Sequence, residues 1–273
     1  MDLSKVKLVV TDMDGTLLNA NHEVSPRFFS LYQELKGYIH FVAASGRQYQ
    51  SMTAKLETIK DDITIIAENG GIAMQGNTEI MLTHLPDEKI QHLIPLIRQI
   101  VGGYIVLCGK KRAYIETEDQ SFISLFDEFY NTYEIVKDLT EVTDDDILKI
   151  AVYHFNSSET FLYPKLQHLE RELKIKVSGQ NWLDISDLNA NKGYALSHLQ
   201  QSMGVTKAET MVFGDYNNDL EMLALAHFSY AMENAHPNVK EVANFLTKSN
   251  LEQGVEIVLE QLLQAKLKSN GRL

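Results

Sequence analysis

The sequence is poor in cysteine, signal-like segments and long apolar runs. Cys108 is the only cysteine among 273 residues, which excludes an internal disulfide framework and fits a reducing cytoplasm. The apolar run 8–10 near the start is too short for the core of a secretion signal. No segment approaches the roughly 20 apolar residues that a membrane span requires. We therefore expect a cytoplasmic protein that does not act in a membrane and that can bury a core without disulfides.

The sequence also lacks an excess of positive charge. It carries 25 lysines and arginines against 37 aspartates and glutamates, a net charge of −12. Proteins that bind nucleic acids usually need a basic face, so we expect no nucleic-acid partner. A small phosphorylated ligand remains compatible with this charge, because a few cations and helix N-termini can form a local anion site. Nothing in the sequence indicates an obligate protein partner.

Short apolar runs alternate with amphipathic helices in the first and last parts of the chain. The runs are continuous, as expected of strands covered on both faces of a parallel sheet, and occupy residues 7–11, 41–44, 63–67, 210–213 and 228–232. One helix is predicted to begin at Ser25 and Pro26, and another to run from Lys192 to Met203 and end at Gly204. The pattern predicts a doubly wound α/β fold.

The middle of the chain has a different pattern and predicts a second, α+β domain. Pro86 begins a helix, and a hairpin is predicted at 104–108 and 113–117, with further strands at 149–155 and 182–186. An aromatic stripe with helical spacing favours a core for this domain and comprises Phe122, Phe126, Phe129 and Tyr130. We expect buried roles for Cys108 and Trp182, although Trp182 could also stack on a sugar. The predicted domains are 1–84 with 187–273, and 85–186 inserted between them.

Polar side chains follow directly after several of the apolar runs. Asp12 and Asp14 follow the first run, residues 45–46 follow the second, and residues 215–219 follow the fourth. Ligands of open α/β sheets bind outside the carboxyl ends of the strands, so these segments are expected to meet in one crevice. A single aspartate at a strand end is often a helix cap, but several together favour a site.

Four segments resemble the motifs of the haloacid dehalogenase (HAD) superfamily, namely 12–18 (DMDGTLL), 44–47 (ASGR), 191–193 (NKG) and 214–219 (GDYNND). With 68–71 (ENGG), their order is similar to the Cof-type branch and its bacterial sugar phosphatases. The resemblance implies a Rossmann-like core with an inserted C2-type cap. It implies that Asp12 is the nucleophile, that Asp14 is the general acid/base, and that Mg²⁺ is held by Asp12, Asp215 and the backbone carbonyl of Asp14. It also implies that Ser45 and Lys192 bind phosphate.

The chemistry gives reasons for these roles. A carboxylate can attack phosphorus and leave as an acyl phosphate, which splits hydrolysis into two easier steps. Two anions repel each other, so a divalent cation must bridge them. An acid two residues away can protonate the leaving alkoxide. The transferring phosphoryl group needs hydrogen-bond donors, which can come from the amides of Met13 and Gly46, the Ser45 hydroxyl and the Lys192 ammonium.

Four further residues of these segments have possible roles in the site. Asp219 is predicted to orient a metal-bound water or Lys192, or to cap the following helix. Thr16 could orient the nucleophile or stabilise the turn. Arg47 could clamp phosphate, but a salt bridge at the rim or on the helix is favoured. Asn218 matches a position that contacts phosphate in relatives of this superfamily.

The predicted function is Mg²⁺-dependent hydrolysis of a small phosphorylated metabolite. Sugar phosphates are the first choice by resemblance, with flavin and pyridoxal phosphates as alternatives. The inserted domain is expected to close over the site, exclude bulk water and select the substrate. A phosphotransferase or mutase would use the same nucleophile. A non-catalytic sensor would be expected to lose one of the key carboxylates, and all of them are present.

Overall fold

The structure is a computed structural model that describes residues 2–127, 130 and 132–271. The described residues form fourteen strands: β1 Leu8–Asp12, β2 His40–Ala44, β3 Thr64–Ala67, β4 Ile72–Gln75, β5 Thr78–Leu82, β6 Gly103–Gly109, β7 Ala113–Ile115, β8 Tyr133–Ile135, β9 Ile147–His154, β10 Lys174–Val177, β11 Trp182–Ser186, β12 Thr210–Gly214, β13 Phe228–Ala231 and β14 Phe245–Leu246. They also form ten α-helices: α1 Pro26–Leu35, α2 Tyr49–Lys55, α3 Asp87–Ile97, α4 Gln120–Phe126, α5 Ser158–Phe161, α6 Tyr163–Leu166, α7 Lys192–Met203, α8 Leu220–Ala224, α9 Pro237–Val242 and α10 Gly254–Ser269.

The chain divides into two compact units. The first comprises Met1–Arg47, Met52–Met81 and Asn191–Leu273, and the second comprises Gln48–Ser51 and Leu82–Ala190. The main boundaries therefore fall at 81/82 and 190/191, and the start of α2 groups with the second unit. Within the described residues, no helix combines the length and apolar character needed to cross a bilayer.

The first unit contains an eight-stranded sheet in the order β14-β13-β12-β1-β2-β3-β4-β5. The six strands from β14 to β3 are parallel, and β4 runs antiparallel to β3. Every residue of β1 is buried, as expected for a central strand covered on both faces. The predicted α/β core is confirmed, and β1 brings its carboxyl end between those of β2 and β12.

Two predicted helices of the first unit form with the expected ends. Ser25 caps α1 by accepting a hydrogen bond from the Phe28 amide, and Pro26 is its first residue. The helix α7 ends at Gly204, whose φ of +64° is a left-handed conformation that glycine adopts at little cost. The ends of both helices are therefore set by local sequence signals.

The second unit contains a six-stranded sheet in the order β10-β11-β9-β6-β7-β8. Its strand pairs are antiparallel except β7 and β8, which are parallel. One face packs against a mainly aliphatic cluster that includes residues of α3, and the other face against an aromatic cluster around α4. The predicted inserted α+β domain is confirmed.

The predicted aromatic stripe contributes to the second of these clusters. Phe122, Phe126 and Tyr130 are buried, whereas Phe129 lies outside the described residues. Cys108 is fully buried, with its sulfur 3.3 Å from the Tyr130 hydroxyl. Trp182 is partly buried beside the same aromatic cluster. These positions support a packing role for both predicted core residues.

Candidate active site

Three parallel strands bring the predicted site residues together at one edge of the first sheet. Asp12 is the last residue of β1, and its Cα is paired in register with that of Ala44, the last residue of β2. Asp215 follows the end of β12, which pairs with β1 on its other side. Because adjacent parallel strands end at the same edge, residues more than 200 positions apart in sequence become neighbours.

Lys192 is fully buried at the first position of α7. Asn191 caps this helix by accepting a hydrogen bond of 2.7 Å from the Tyr194 amide. The Lys192 ammonium donates to Oδ1 of Asp12 at 2.5 Å and to Oδ1 of Asp219 at 2.7 Å. A buried ammonium requires such partners, since an unpaired charge away from water is very costly. The helix start therefore fixes a cation against the predicted nucleophile.

The buried carboxylates shift the pKa values of the cluster. Burial raises the pKa of Asp12 well above its usual range, Lys192 opposes this rise, and Asp219 and Asp215 reinforce it. Burial raises the pKa of Asp215 to about 6, assisted by the charge of Asp219. Burial lowers the pKa of Lys192, but Asp12 and Asp219 more than offset it and hold the side chain as an ammonium ion. The site therefore concentrates more negative charge than Lys192 alone neutralises.

The carboxylates of Asp12, Asp215 and Asp219 each place an oxygen within 4.8 Å of the others. Both oxygens of Asp219 are already used, because Oδ1 accepts from Lys192 and Oδ2 accepts from the amides of Asp215 at 2.9 Å and Tyr216 at 3.1 Å. Asp219 lies at the N-cap position of α8, but its side chain makes no capping hydrogen bond there. It therefore positions Lys192 and the 215–216 loop.

This donor set fits a hard divalent cation. Asp12 and Asp215 are carboxylates with oxygens not fully committed to other groups, and oxygen ligands of this kind suit Mg²⁺. Three carboxylates and one ammonium leave an excess of two negative charges when all are ionised, which a divalent cation would balance. The residues present therefore fit the metal that the sequence predicts.

Gly15 and Thr16 shape the turn beside Asp215. Gly15 has a φ of +78°, and a Cβ atom there would lie 2.3 Å from Oδ2 of Asp215. The Thr16 hydroxyl donates to Oδ1 of Asp215 at 3.1 Å. Orienting the nucleophile and stabilising the turn, the two roles expected of Thr16, stay predictions beside this contact with Asp215. Thr16 therefore holds the predicted metal-binding carboxylate, and the absence of a side chain at Gly15 leaves room for it.

Asp14 forms a two-pronged ion pair with Arg47. Nε and Nη2 of Arg47 donate to the two oxygens of Asp14, each at 2.6 Å, and Nδ1 of His22 lies 3.3 Å from Oδ1. Burial raises the pKa of Asp14, but the hydrogen bonds and charge of Arg47 outweigh this and hold the pKa below its usual value. A salt bridge was the favoured role of Arg47, but its partner was not predicted.

The predicted phosphate-binding loop is joined to two other loops through Asn69. The backbone N–H of Asn69 donates to the Ser45 carbonyl at 2.9 Å, and the side-chain oxygen of Asn69 accepts from Nδ2 of Asn218 at 3.0 Å. A Cβ atom on Gly46 would lie 3.0 Å from Nδ2 of Asn69, so glycine leaves room for this side chain. Asn69 was not predicted as a site residue, although its segment was noted as part of the resemblance.

The remaining predicted phosphate-binding residues lie at the same edge. Ser45 is buried, and its hydroxyl accepts from the Arg47 amide at 3.2 Å. Met13 is fully buried directly after β1, and its carbonyl accepts from the Leu18 amide at 2.8 Å. The structure thus brings together every residue predicted for the site, while their contacts with phosphate stay predictions.

Comparison with known proteins adds a family and several relatives. The sequence profile of the haloacid dehalogenase-like hydrolases matches residues 9–259. The 5-amino-6-(5-phospho-D-ribitylamino)uracil phosphatase YbjI of Escherichia coli is 31% identical over 267 residues, covering 95% of this chain and 97% of that protein. The phosphatase YitU of Bacillus subtilis, which has the same substrate in its name, is 26% identical over 269 residues, covering 94% and 98%.

A solved structure is similar over most of the chain. The crystal structure of TM0651 from Thermotoga maritima has a TM-score of 0.84 and 29% sequence identity, and the match covers 94% of this chain and 97% of that protein. The likeness therefore extends over both compact units.

Proposed function

The chain belongs to the haloacid dehalogenase-like hydrolases and is a phosphatase of that superfamily, and we propose that it uses Mg²⁺ to hydrolyse small phosphorylated metabolites through an aspartyl-phosphate on Asp12. In this proposal, residues 1–84 and 187–273 carry catalysis, and residues 85–186 contribute to the choice of substrate.

One observation carries the proposal: a fully buried ammonium lies against a cluster of three carboxylates at the ends of parallel strands. Such an arrangement contributes little to stability by itself, because each buried ion loses its hydration. It suits a site where a dianionic phosphate and a divalent cation arrive together. Mg²⁺ held by Asp12, Asp215 and the Asp14 carbonyl would supply charge neutralisation for the attack of one anion on another.

The residues perform two displacements. A carboxylate oxygen of Asp12 forms a bond to phosphorus as the bond from phosphorus to the ester oxygen breaks, and Asp14 gives its proton to the departing alkoxide. Asp14 then takes a proton from water, whose oxygen attacks the aspartyl-phosphate. Inorganic phosphate leaves and the Asp12 carboxylate is restored. Lys192, Ser45 and the amides of Met13 and Gly46 donate to the phosphoryl oxygens in both steps.

Asp14 must carry a proton when the leaving group departs. The ion pair with Arg47 favours the ionised form of Asp14, so we infer that Arg47 releases Asp14 when substrate is bound. The Arg47 and Asp14 side chains are 29% and 41% exposed, so water and the arriving phosphate can compete with Asp14 for the guanidinium. Arg47 thus holds Asp14 in position between turnovers.

The proposed substrates are phosphate esters of sugars or sugar alcohols. Two relatives have names that specify a uracil bearing a 5-phospho-D-ribityl chain, and in that compound the phosphate ester is on a sugar alcohol. Flavin and pyridoxal phosphates are the alternatives that the sequence leaves open.

Measurement of inorganic phosphate release tests the proposal. Wild-type protein with Mg²⁺ is incubated with hexose, pentose, ribitol, flavin and pyridoxal phosphates. We expect the sugar and sugar alcohol esters to be hydrolysed fastest, and Asp12→Asn to lower kcat by at least about 10³-fold without loss of fold. Asp61→Asn, a change of the same kind at an exposed position, is the matched control. Substantial turnover by Asp12→Asn would refute the assignment of the nucleophile, and transfer of phosphate to an added sugar without release would favour a phosphotransferase.

A further inference from the structure

We propose that Asn234 is a positioning residue for the proposed Mg²⁺ site, because its side-chain amide joins the two segments that carry the predicted metal ligands. This inference rests on the proposed function, since Mg²⁺ and its ligands are part of that proposal. Asn234 lies outside the four segments that resemble the superfamily motifs. All the residues that the inference uses belong to the first compact unit.

The side chain of Asn234 contacts the turn that follows β1. Its Nδ2 donates to the carbonyl oxygen of Gly15 at 2.8 Å. The φ and ψ angles are −77° and 123° at Asp14 and 78° and −3° at Gly15, which are the values of a type II turn. The Asp14 carbonyl, a predicted Mg²⁺ ligand, belongs to the peptide that joins these two residues. Asn234 therefore holds the peptide that comes directly after the predicted ligand.

The backbone on either side of Asn234 contacts the segment that carries Asp215. Strand β13 pairs with β12, so the chain after β13 lies at the same edge of the sheet as the end of β12. The amide of Met232 donates to the Gly214 carbonyl at 3.2 Å. The amide of His236 donates to the Asp215 carbonyl at 2.8 Å. The side chain of Asn234 thus reaches the turn after β1 from a backbone that is itself bound to the Asp215 segment.

Asn250 fixes the orientation of the Asn234 amide. The backbone N–H of Asn250 donates to Oδ1 of Asn234 at 3.2 Å. Oδ1 therefore faces a donor while Nδ2 faces an acceptor, and exchange of the two ends of the amide would lose both hydrogen bonds. Nδ2 of Asn250 donates in turn to the Leu18 carbonyl at 2.8 Å. The two asparagines therefore hold the turn after β1 at two carbonyl groups.

The geometry that Mg²⁺ requires makes this link important for binding. Mg²⁺ demands near-octahedral coordination by oxygens at about 2.0–2.1 Å, so a small displacement of one ligand weakens its binding. The predicted ligands Asp14 and Asp215 lie on different segments, and groups that orient ligands alter metal affinity without touching the ion. The Thr16 hydroxyl supplies a second link to Asp215. Loss of Asn234 should therefore weaken the binding of Mg²⁺ without abolishing it.

Calorimetry of Mg²⁺ binding to the wild type and to Asn234→Ala tests the inference. We expect the Kd for Mg²⁺ to rise about fivefold, the effect of one lost neutral hydrogen bond. The Mg²⁺ concentration that gives half-maximal phosphate release, from the ester that the wild type hydrolyses fastest, should rise by the same factor. At saturating Mg²⁺, kcat should change by less than about threefold, because the ligands themselves are still present.

Asn244→Ala is the matched control. Asn244 is exposed, as Asn234 is, and its Nδ2 donates to the His227 carbonyl at 2.9 Å. His227 precedes the first residue of β13, so this contact lies at the opposite edge of the sheet from the predicted ligands. Asn244→Ala should lower the Tm by as much as Asn234→Ala and leave the Kd for Mg²⁺ unchanged. Asn250→Ala keeps the backbone donation to Asn234, so its Kd should rise less than that of Asn234→Ala.

Equal Kd values for Mg²⁺ in Asn234→Ala and Asn244→Ala would overturn the inference and assign Asn234 a structural role. The proposed function would still stand if the wild type released phosphate. A larger rise in Asn250→Ala than in Asn234→Ala would also overturn the inference. Weaker Mg²⁺ binding in Asn234→Ala than in both other variants would support it even if the wild type released no phosphate, an outcome that would refute the proposed function instead. If the wild type bound no Mg²⁺, both proposals would be overturned.

Discussion

Replacement of Lys192 by methionine should show how much its ion pairs contribute to the stability of the protein. The Lys192 side chain is 0% exposed, and its partners Asp12 and Asp219 have side chains that are 7% and 0% exposed. At an effective dielectric constant of about 20, each of these close pairs is worth roughly 6 kcal/mol of Coulomb attraction. Desolvation of the ions offsets much of that gain, and removal of one partner of a buried pair typically costs about 3–5 kcal/mol. We therefore expect Lys192→Met to lower the free energy of unfolding by about that amount.

The assay is urea unfolding followed by circular dichroism, in EDTA and in Mg²⁺. The loss should be largest in EDTA and smaller in Mg²⁺, because a cation bound by the remaining carboxylates supplies the missing positive charge. Lys266 offers a matched control, since it is also buried but its ammonium donates to the Ser4 carbonyl, away from the carboxylate cluster. Lys266→Met should cost about 1 kcal/mol and show no dependence on Mg²⁺.

A second substitution separates lost attraction from lost packing. Adding Asp219→Asn to Lys192→Met removes one of the carboxylates left without a partner, and the amide oxygen can still accept from the amides that Asp219 now satisfies. The double variant should therefore recover part of the lost stability, a coupling expected between contacting residues. A loss below about 1 kcal/mol in EDTA, or no recovery in the double variant, would refute the electrostatic reasoning.

Three other predictions concern the metal, the turn and pH. Mg²⁺ at about 100 times its Kd should stabilise the wild type by roughly 2.7 kcal/mol, and thermal unfolding should show a much smaller shift for Asp215→Asn; equal shifts would contradict the assigned ligand. Gly15→Ala should lower kcat for phosphate release at least about tenfold, since the added Cβ would lie 2.3 Å from Oδ2 of Asp215. Its left-handed backbone should cost about 1–2 kcal/mol in the free energy of urea unfolding. An unchanged kcat would contradict this. The hydrogen bonds from Arg98 hold the pKa of Glu116 below its usual value. This pair therefore contributes stability above a pH of about 4.3, and that stability is lost as the pH falls through the lowered pKa of the folded state. Arg98→Met should flatten that part of the plot of unfolding free energy against pH, and an unchanged slope would contradict the linkage.

The strands and helices of the first unit could be predicted because their signals are local. The runs that became β1, β2 and β12 consist mainly of consecutive apolar residues and are closely followed by polar ones, so their ends were predicted to within one residue. The strands β4 and β5 were not predicted. They lie at the edge of the sheet with several exposed residues, so they lack the continuous apolar run that marked the others.

That the candidate site residues would lie together could be predicted, but several of their contacts could not. Asp12, Asp215 and Lys192 belong to recognisable segments, and the parallel topology brings them together. The pairing of Arg47 with Asp14 joins positions 33 residues apart, and no local pattern encodes it. The hydrogen bond from Asn234 to the turn after β1 likewise joins positions 219 residues apart. Contacts of this kind depend on how packed elements approach one another, which periodicity does not report.

The turn at Glu68 and Asn69 holds Asn69, the partner of Ser45 and Asn218, in a strained backbone conformation. Both residues have positive φ, +50° and +54°, a region that costs of order 1–3 kcal/mol for residues other than glycine, although asparagine tolerates it better than most. Glycine at position 69 would relieve the strain and keep the backbone donation to Ser45. It would lose the side chain that accepts from Asn218 and fills the space left by Gly46. Because only a side chain at position 69 can accept from Asn218, the strain at Asn69 is retained beside the predicted phosphate-binding residues.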